Sequence, residues 1–447
     1  MSTVALALRG RTFRSLRRHH NYRLFFAGQI VSLAGSWMQN VALAWLVLSL
    51  SRSPLAVATL VFCRFAPYTL FGLFAGSVVD RLDTRRLVIW TQVAAMIVSG
   101  ALAAVTLTGT ATLPLVFALA TLGGVTLVLD APGRQSLTFE MVGPRELPNA
   151  VALNSGVLNA SRVIGPAIAG VLIATAGVGT CFLVNTLSFV AVLAALLAMR
   201  EDELYPVARD RTVTVLAGTR EGLSFAWHDH QVRAVLVVVA CVGLVGFNFN
   251  TLVPLLASDT LHVDARAFGL LSAAFGLGAF GGAIATASLE RATFRAFRTG
   301  ALGFSILLLA LAPVHDARLA GIILIAIGAS FTLFAANANA LVQLAAPDHL
   351  RGRLVALYLF AFVGLAPLGS LLSGTLVELG GTRLAFGVAG TVGLAATAFA
   401  TAWSRDERPL ERGTACEREP VDTKGARMPQ GGTGCRDQTS SGHPLKP

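Results

Sequence analysis

The feature that most constrains this chain is the recurrence of apolar stretches of bilayer length, separated by short polar turns. A hydrocarbon core about 30 Å thick takes about 20 apolar residues of helix. By that measure the sequence holds twelve spans, the first at 24–50, the last at 382–403 and the shortest, the ninth, at 299–313. Lipid satisfies no backbone N–H or C=O, so spans of this length have to be helices. Composition agrees: 54% hydrophobic and 13% charged residues, with a mean hydropathy of +0.68, exclude an ordinary soluble globular chain. The expected fold is an all-α membrane protein embedded in a lipid bilayer.

Arginine placement orients the spans. If the N-terminus is cytoplasmic, the inner segments before the tail hold 21 arginines, and the outer ones hold four, Arg52, Arg266, Arg318 and Arg383. Such an excess follows the positive-inside rule and puts both termini in the cytoplasm of a plasma-membrane protein. The expected units are a basic arm at 1–23, a six-helix half at 24–199, a central cytoplasmic loop at 200–232, a second six-helix half at 233–403 and a disordered tail at 404–447. Within the loop, Val213 to Trp227 reads as an amphipathic helix on the inner surface. The basic arm has no apolar core or cleavage site, and its arginines suit acidic headgroups. An internal echo supports two halves: Pro144-x-x-Leu147 leads to Val151-Ala152-Leu153, and Pro347-x-x-Leu350 leads to Val355-Ala356-Leu357.

Several chemistries find no support. The net charge of +11 is dispersed in short clusters between spans instead of forming one patch, so nucleic acid is not an expected partner. The only two lysines, Lys424 and Lys446, lie in the tail, which leaves no P-loop or Schiff-base lysine among the spans. The five cysteines show no metal-ligand spacing, and neither a metalloprotease nor a serine-hydrolase motif occurs. An enzyme, a metal and a resident cofactor are therefore not expected.

The loop after the second span reads Gly76-Ser-Val-Val-Asp80-Arg81-Leu-Asp83-Thr84-Arg85-Arg86. Gly76 permits close helix approach, Asp80 can accept hydrogen bonds at a helix end, and Arg81, Arg85 and Arg86 hold the loop at the inner face. This stretch resembles the major facilitator signature Gly-x-x-x-Asp-Arg-x-Gly-Arg-Arg, with Asp83 where glycine is usual and Thr84 at the next position. A worn counterpart, Glu290-Arg291 after Gly281-Gly282, stands in the second half. Four further stretches are Gly35-Ser-Trp-Met-Gln39, Asp130-Ala-Pro-Gly-Arg-Gln135, Leu147-Pro-Asn-Ala-Val-Ala-Leu-Asn154 and Leu365-Ala-Pro-Leu-Gly-Ser370. They resemble the branch of the superfamily that contains the enterobactin exporter and related secretion transporters. The resemblance covers about residues 20–404. It implies two pseudo-symmetric six-helix halves, spans three, six, nine and twelve outside a central cavity, a monomer, and proton-coupled export of a small molecule such as a siderophore, antibiotic or other metabolite. An importer or facilitator is the alternative within transport, and a non-transporting sensor or scaffold the alternative outside it.

Polar side chains are costly in lipid and mark interior faces. In the first span Gln29, Ser32, Ser36 and either Gln39 or Asn40 share one face. Asn154, Asn159, Asn248, Asn250, Asn337 and Asn339 are other cavity candidates, each equally suited to a bond between helices, and Arg64 is equally suited to packing against helix carbonyls and to contact with an anionic substrate. Ser161-Arg162-Val-Ile-Gly165-Pro166-Ala-Ile-Ala-Gly170 resembles the antiporter motif of facilitator exporters and reads physically as a bent helix with a thin face. Asp130 is the one carboxylate placed within a span, with Arg134 four residues on. It is a candidate either for carrying the coupling proton or for locking a cytoplasmic gate.

Topology is directly testable. Single cysteines at Thr110, Gly179 and Gly380 should react with an impermeant thiol reagent applied to intact cells, and cysteines at Thr84 and Ala208 should stay unlabelled. Labelling at Thr84 or Ala208 would invert the arrangement.

Overall fold

The structure is a computed structural model that describes residues 13–404 except 80, 206–214, 247, 289–290 and 348–349. Among the described residues there are ten apolar helical stretches long enough to cross a bilayer. The first five helices are α1 (Arg14–Arg18), α2 (His20–Ser51), α3 (Pro54–Val79), α4 (Thr84–Leu107) and α5 (Leu113–Ala176). There follow α6 (Val178–Leu197), α7 (Val215–His228), α8 (His230–Cys241), α9 (Phe249–Leu255) and α10 (Ala265–Ala287). The last are α11 (Phe294–Leu311), α12 (Ala317–Ala345), α13 (Arg351–Leu359) and α14 (Ala366–Ser404).

Two of the stretches are too long for one crossing. α5 runs for 64 residues but leaves helical angles at Gly143, whose φ of 65° suits glycine. Asn154 Nδ2 donates to Thr138 Oγ1 at 3.2 Å across that break. Sixteen residues of straight helix would separate them by about 24 Å, so the chain doubles back there. α14 breaks likewise at Gly380 and Gly381. Each therefore consists of two helical arms joined at its glycines. Helix limits differ from the expected spans by a few residues at several places. The first span begins at His20, and the ninth, α11, begins at Phe294 because the Thr293 hydroxyl caps it by accepting from Ala296 N–H.

Two spans are locally widened. The seventh continues from α8 through π turns at Val242–Gly246 and Leu256–Thr260, and the eleventh passes from α13 through one at Phe360–Gly364. These wide turns face each other: a Cβ on Gly243 would lie 2.6 Å from the Ala361 carbonyl oxygen. Hydrophobic patterning carries no signal for such turns, and the sequence reading has none there.

The arginine-rich end of the bundle carries a polar collar. Ser15 of α1 is fully buried, donates its hydroxyl to Asn149 Oδ1 at 2.7 Å and receives company from Glu146, which pairs with Arg14 at 2.7 Å and Arg18 at 3.1 Å. Asn21 bonds Arg200 through both its amide groups, at 2.7 and 2.9 Å. Two arginines of the basic arm are thus held by protein instead of headgroups. Arg353 of α13 pairs with Glu221 of α7, tying the central-loop helix to the second half; this helix starts at Val215, close to its expected limit.

The two halves meet closely toward the opposite end. Glycines allow this: a Cβ on Gly269 of α10 would stand 2.6 Å from Gly170 Cα of α5, and one on Gly276 would stand 2.4 Å from the Arg162 carbonyl oxygen. On the other side of the bundle, a Cβ on Gly374 of α14 would meet Ala58 of α3 at 2.4 Å, and Ser370 Oγ donates to the Ala58 carbonyl at 3.1 Å. Thr69 Oγ1 donates to the Gly364 carbonyl at 2.8 Å nearer mid-bundle. Trp45 of α2 stacks on Phe268 of α10 with centroids 5.6 Å apart.

Gly269→Leu should force α5 and α10 apart and cost about 1–3 kcal/mol as overpacking. The expected result is a lower thermal midpoint in detergent than wild type, and an unchanged midpoint would show that the contact tolerates bulk.

Candidate functional site

Between the halves lies a narrow cavity bounded by α2, α5, α9 and α10. Its walls are aromatic: Phe249 stacks on Phe275 at 4.2 Å between centroids, and Trp37 and Phe268 close the other sides. Its polar groups are few: Asn40, Asn250, Ser272 and the guanidinium of Arg162. Arg162 lies over the Trp37 ring, 5.2 Å from its centroid, a cation–π contact that satisfies the face of the guanidinium but leaves buried Nε without an acceptor. A small adjoining hollow shares Asn40, Ala44 and Asn250 and is lined by Arg64 of α3. No wall residue of either comes from α4, α6, α11 or the second arm of α14, which are the third, sixth, ninth and twelfth spans.

The cavity has a volume of about 80 Å³ and the hollow about 20 Å³. A drug-sized ligand takes roughly 300–1,000 Å³. The site is therefore contracted in this conformation, with room for a few waters. A larger hollow of about 820 Å³ lies between α2, α5 and α6, lined by Ile30, Val31, Ile164 and Leu187 among other apolar groups, with Ser161 at its wall.

The other amides have partners elsewhere. Gln39 and Asn40 are neighbours on α2 and so project about 100° apart. Asn40 reaches the cavity, whereas Gln39 Oε1 accepts from Asn185 Nδ2 at 2.6 Å and Ser99 Oγ at 2.8 Å, knotting the first, third and sixth spans. Asn154 accepts from the Tyr22 hydroxyl at 3.0 Å, toward the arginine-rich end. Asn159 donates to Ser155 O at 2.9 Å within its own helix. Asn248 is buried and donates to Leu244 O at 2.8 Å. Asn337 donates to Leu333 O and accepts from Thr293 N–H at 3.2 Å, and Asn339 accepts from Gln343 at 3.0 Å. None of these borders the central cavity or its adjoining hollow, whose amides are Asn40 and Asn250.

Asp130 is enclosed by donors. Arg134 Nε reaches Oδ2 at 2.7 Å, while Thr91 Oγ1 and Gln92 Nε2 reach Oδ1 at 2.9 and 2.6 Å. Pro132 does not interrupt the helix, so the i, i+4 geometry holds. This is a cross-link between α4 and α5 with every carboxylate oxygen engaged.

In the loop motif, Gly76 falls inside α3, and Asp80 lies outside the described residues, as does Glu290 of the counterpart. Asp83, where glycine is usual, caps α4 by accepting from Arg86 N–H at 2.8 Å. Arg85 donates to the terminal carbonyls of α6, Leu196 O at 2.9 Å and Leu197 O at 3.3 Å, and pairs with Glu201. Arg81 is exposed. In the antiporter-like motif Gly165 packs on α2, where a Cβ would lie 2.6 Å from Trp37 Cβ, and Gly170 packs on α10. Pro166 lines the cavity one turn from Arg162. The aromatic walls escaped the sequence reading because aromatics in apolar spans carry no mark of which face they occupy.

A two-half helical bundle around a contracted central cavity is the architecture of a membrane transporter. The sequence profile of the transmembrane secretion effector family matches residues 12–417, and the chain belongs to that family, within the major facilitator superfamily. It is 26% identical over 376 residues to the staphyloferrin A transporter of Staphylococcus aureus, covering 82% of this chain and 92% of that one. It is 28% identical over 370 residues to the multidrug efflux pump Tap of Mycolicibacterium fortuitum, covering 79% and 88%. Among solved structures, a POT family transporter in complex with 5-aminolevulinic acid superposes with a TM-score of 0.71 at 11% identity over 87% of this chain and 96% of the other. A bacterial homologue of the lysosomal transporter Spinster gives 0.67 at 13% identity over 86% and 96%. The protein is a multi-pass membrane transporter and its relatives are not enzymes.

Replacing Asp130 with Asn leaves Arg134 enclosed without its charge partner, which should cost about 3 kcal/mol. The expected readout is a lowered thermal midpoint, partly recovered when the charges of residues 130 and 134 are exchanged. A midpoint indifferent to the single change would remove Asp130 from the scaffold.

Proposed function

We propose that the protein is a secondary active exporter of small amphipathic molecules, such as a siderophore, an antibiotic or another metabolite, working by alternating access. The observation that carries this reading is the cavity between the halves, contracted and closed over by glycine-mediated contact of α5 with α10 and α3 with α14 toward the end opposite the arginines. With the arginine-rich end in the cytoplasm, this arrangement corresponds to a state closed to the outside. Rocking the halves about those thin contacts would open the cavity there and close the collar end.

Export is favoured over import by the antiporter-like motif, whose Gly170 sits at the moving contact, and by the efflux role named for the Tap relatives. The staphyloferrin A relative extends the cargo range to siderophores. Aromatic walls with a few polar groups suit an amphipathic guest. Proton antiport remains the proposed energy source, from the superfamily resemblance. The Asp130–Arg134 pair, with both carboxylate oxygens engaged, supports a gate-stabilising role for Asp130 over proton carriage. The loop residues Gly76, Asp80, Arg81, Arg85 and Arg86 are proposed to steady the inner face, Arg85 by anchoring the third span to the sixth.

The test is a comparison of metabolites in medium and cells with and without the gene. At least one compound should fall outside and accumulate inside when the gene is absent. A medium unchanged in composition would count against export, and a compound that instead accumulates outside would indicate import.

A further inference from the structure

The central cavity and its adjoining hollow are lined by one arginine each and by no acid. Arg162 enters from α5, and Arg64 from α3 lines the hollow that shares Asn40, Ala44 and Asn250 with it. Among the described residues neither side chain has an ion pair or hydrogen bond; Arg162 has only the Trp37 ring, and its Nε is buried without an acceptor. Several other arginines are paired. Arg134 has Asp130, Arg14 and Arg18 have Glu146, and Arg85 has Glu201 and two helix-end carbonyls. No carboxylate lines the cavity or the hollow: Asp130 is held in its cluster, Glu146 in the collar, Asp259 by Ser258 and Glu378 by Ser53 at the end opposite the collar, and Glu140 lies outside both linings.

An uncompensated charge inside a membrane is expensive and is kept paired or set in a watered, functional site. An arginine in the aromatic cavity and another in the hollow beside it, with Asn40 and Asn250 shared by both as neutral hydrogen-bonding groups, make a receptor for negative charge. Guanidinium presents planar N–H pairs that match carboxylate or phosphate oxygens two at a time. Resting on the exporter reading above, we infer that the cargo binds and crosses as an anion, with a carboxylate or phosphate group held by Arg64 and Arg162. Its apolar part lies against Trp37, Phe249, Phe268 and Phe275. An anion moving outward also travels with the inside-negative membrane potential. Protein-bound anions and lipid headgroups share this chemistry, but the aromatic walls select a free amphipathic acid.

The experiment uses cells carrying the full chain or its variants. Compounds lost from the medium when the gene is absent are separated on anion- and cation-exchange columns at pH 7. The expected result is that they bind the anion exchanger. Arg64→Gln and Arg162→Gln, at wild-type membrane abundance and with a single monodisperse peak in detergent, should each lower their appearance outside at least tenfold. Arg64→Lys and Arg162→Lys should retain part of it. If either Gln variant does not fold, the Lys variant at that position, still charged but unable to make the paired contact, is read for a loss of severalfold. Compounds that are neutral or cationic overturn the inference and leave export standing, as do Gln variants that export normally. No lost compound at all overturns export and this inference with it.

Discussion

Hydrocarbon offers no hydrogen-bond partner, so every polar group carried into the bundle has to be answered from within the protein. That constraint organises the structure. Gln39, Ser99 and Asn185 answer one another and bind three spans into one body. Asp130 gathers Thr91, Gln92 and Arg134 and fixes the third span to the fourth. Glu146 gathers Arg14 and Arg18 and seats the N-terminal helix on the turn between the fourth and fifth spans. Each cluster lies within the first half, and each converts a costly group into a tie that works only if the half keeps its shape. Arg64 and Arg162, which have no ion pair or hydrogen bond among the described residues, line the cavity and hollow where the halves face one another.

The contacts between the halves are of another kind. Three hydrogen bonds described there run from a hydroxyl of one half to the other, Ser53 to Glu378, Ser370 to Ala58 and Thr69 to Gly364, and the Ser370 and Thr69 hydroxyls also reach a carbonyl of their own helix, Pro367 O and Phe65 O. Beside these stand the Trp45–Phe268 stack and close glycine contacts, backbone against backbone at Gly170, Gly269 and Gly276 and backbone against Ala58 at Gly374. Such surfaces hold by dispersion over a short range and carry no polar group that would be stranded when they part. Polar knots inside the first half and glycine faces between the halves suit the alternating access proposed above. The π turns of the seventh and eleventh spans, packed at Gly243 and Ala361, add local width in the second half near this joint.

Much of this was legible in the sequence. The length of the apolar runs sets the number of crossings because bilayer thickness is fixed. Arginine counts orient them, and the low polarity of the third, sixth, ninth and twelfth spans foretells that none lines the cavity. Asp130 and Arg134 are four residues apart in a span, so their meeting follows from helical pitch alone. The substitution of Asp83 for glycine in the loop motif, a departure when read as a pattern, becomes an N-cap for the next helix once its neighbour's N–H is seen.

What the sequence by itself determined, then, is the class of fold, the crossings, the polar residues and the helical faces that bear them. Only the tertiary structure decided which polar residue meets which neighbour. A helical period places Gln39 and Asn40 on adjoining faces but is silent about what stands opposite, and a step of about 100° sends one into a knot of three spans and the other into the cavity. The same holds for Arg162 and Gly170 on one motif: two turns of helix separate a side chain aimed at the cavity from a backbone that closes it. Contacts between spans more than a hundred residues apart depend on how helices pack in three dimensions, and no local pattern encodes that arrangement.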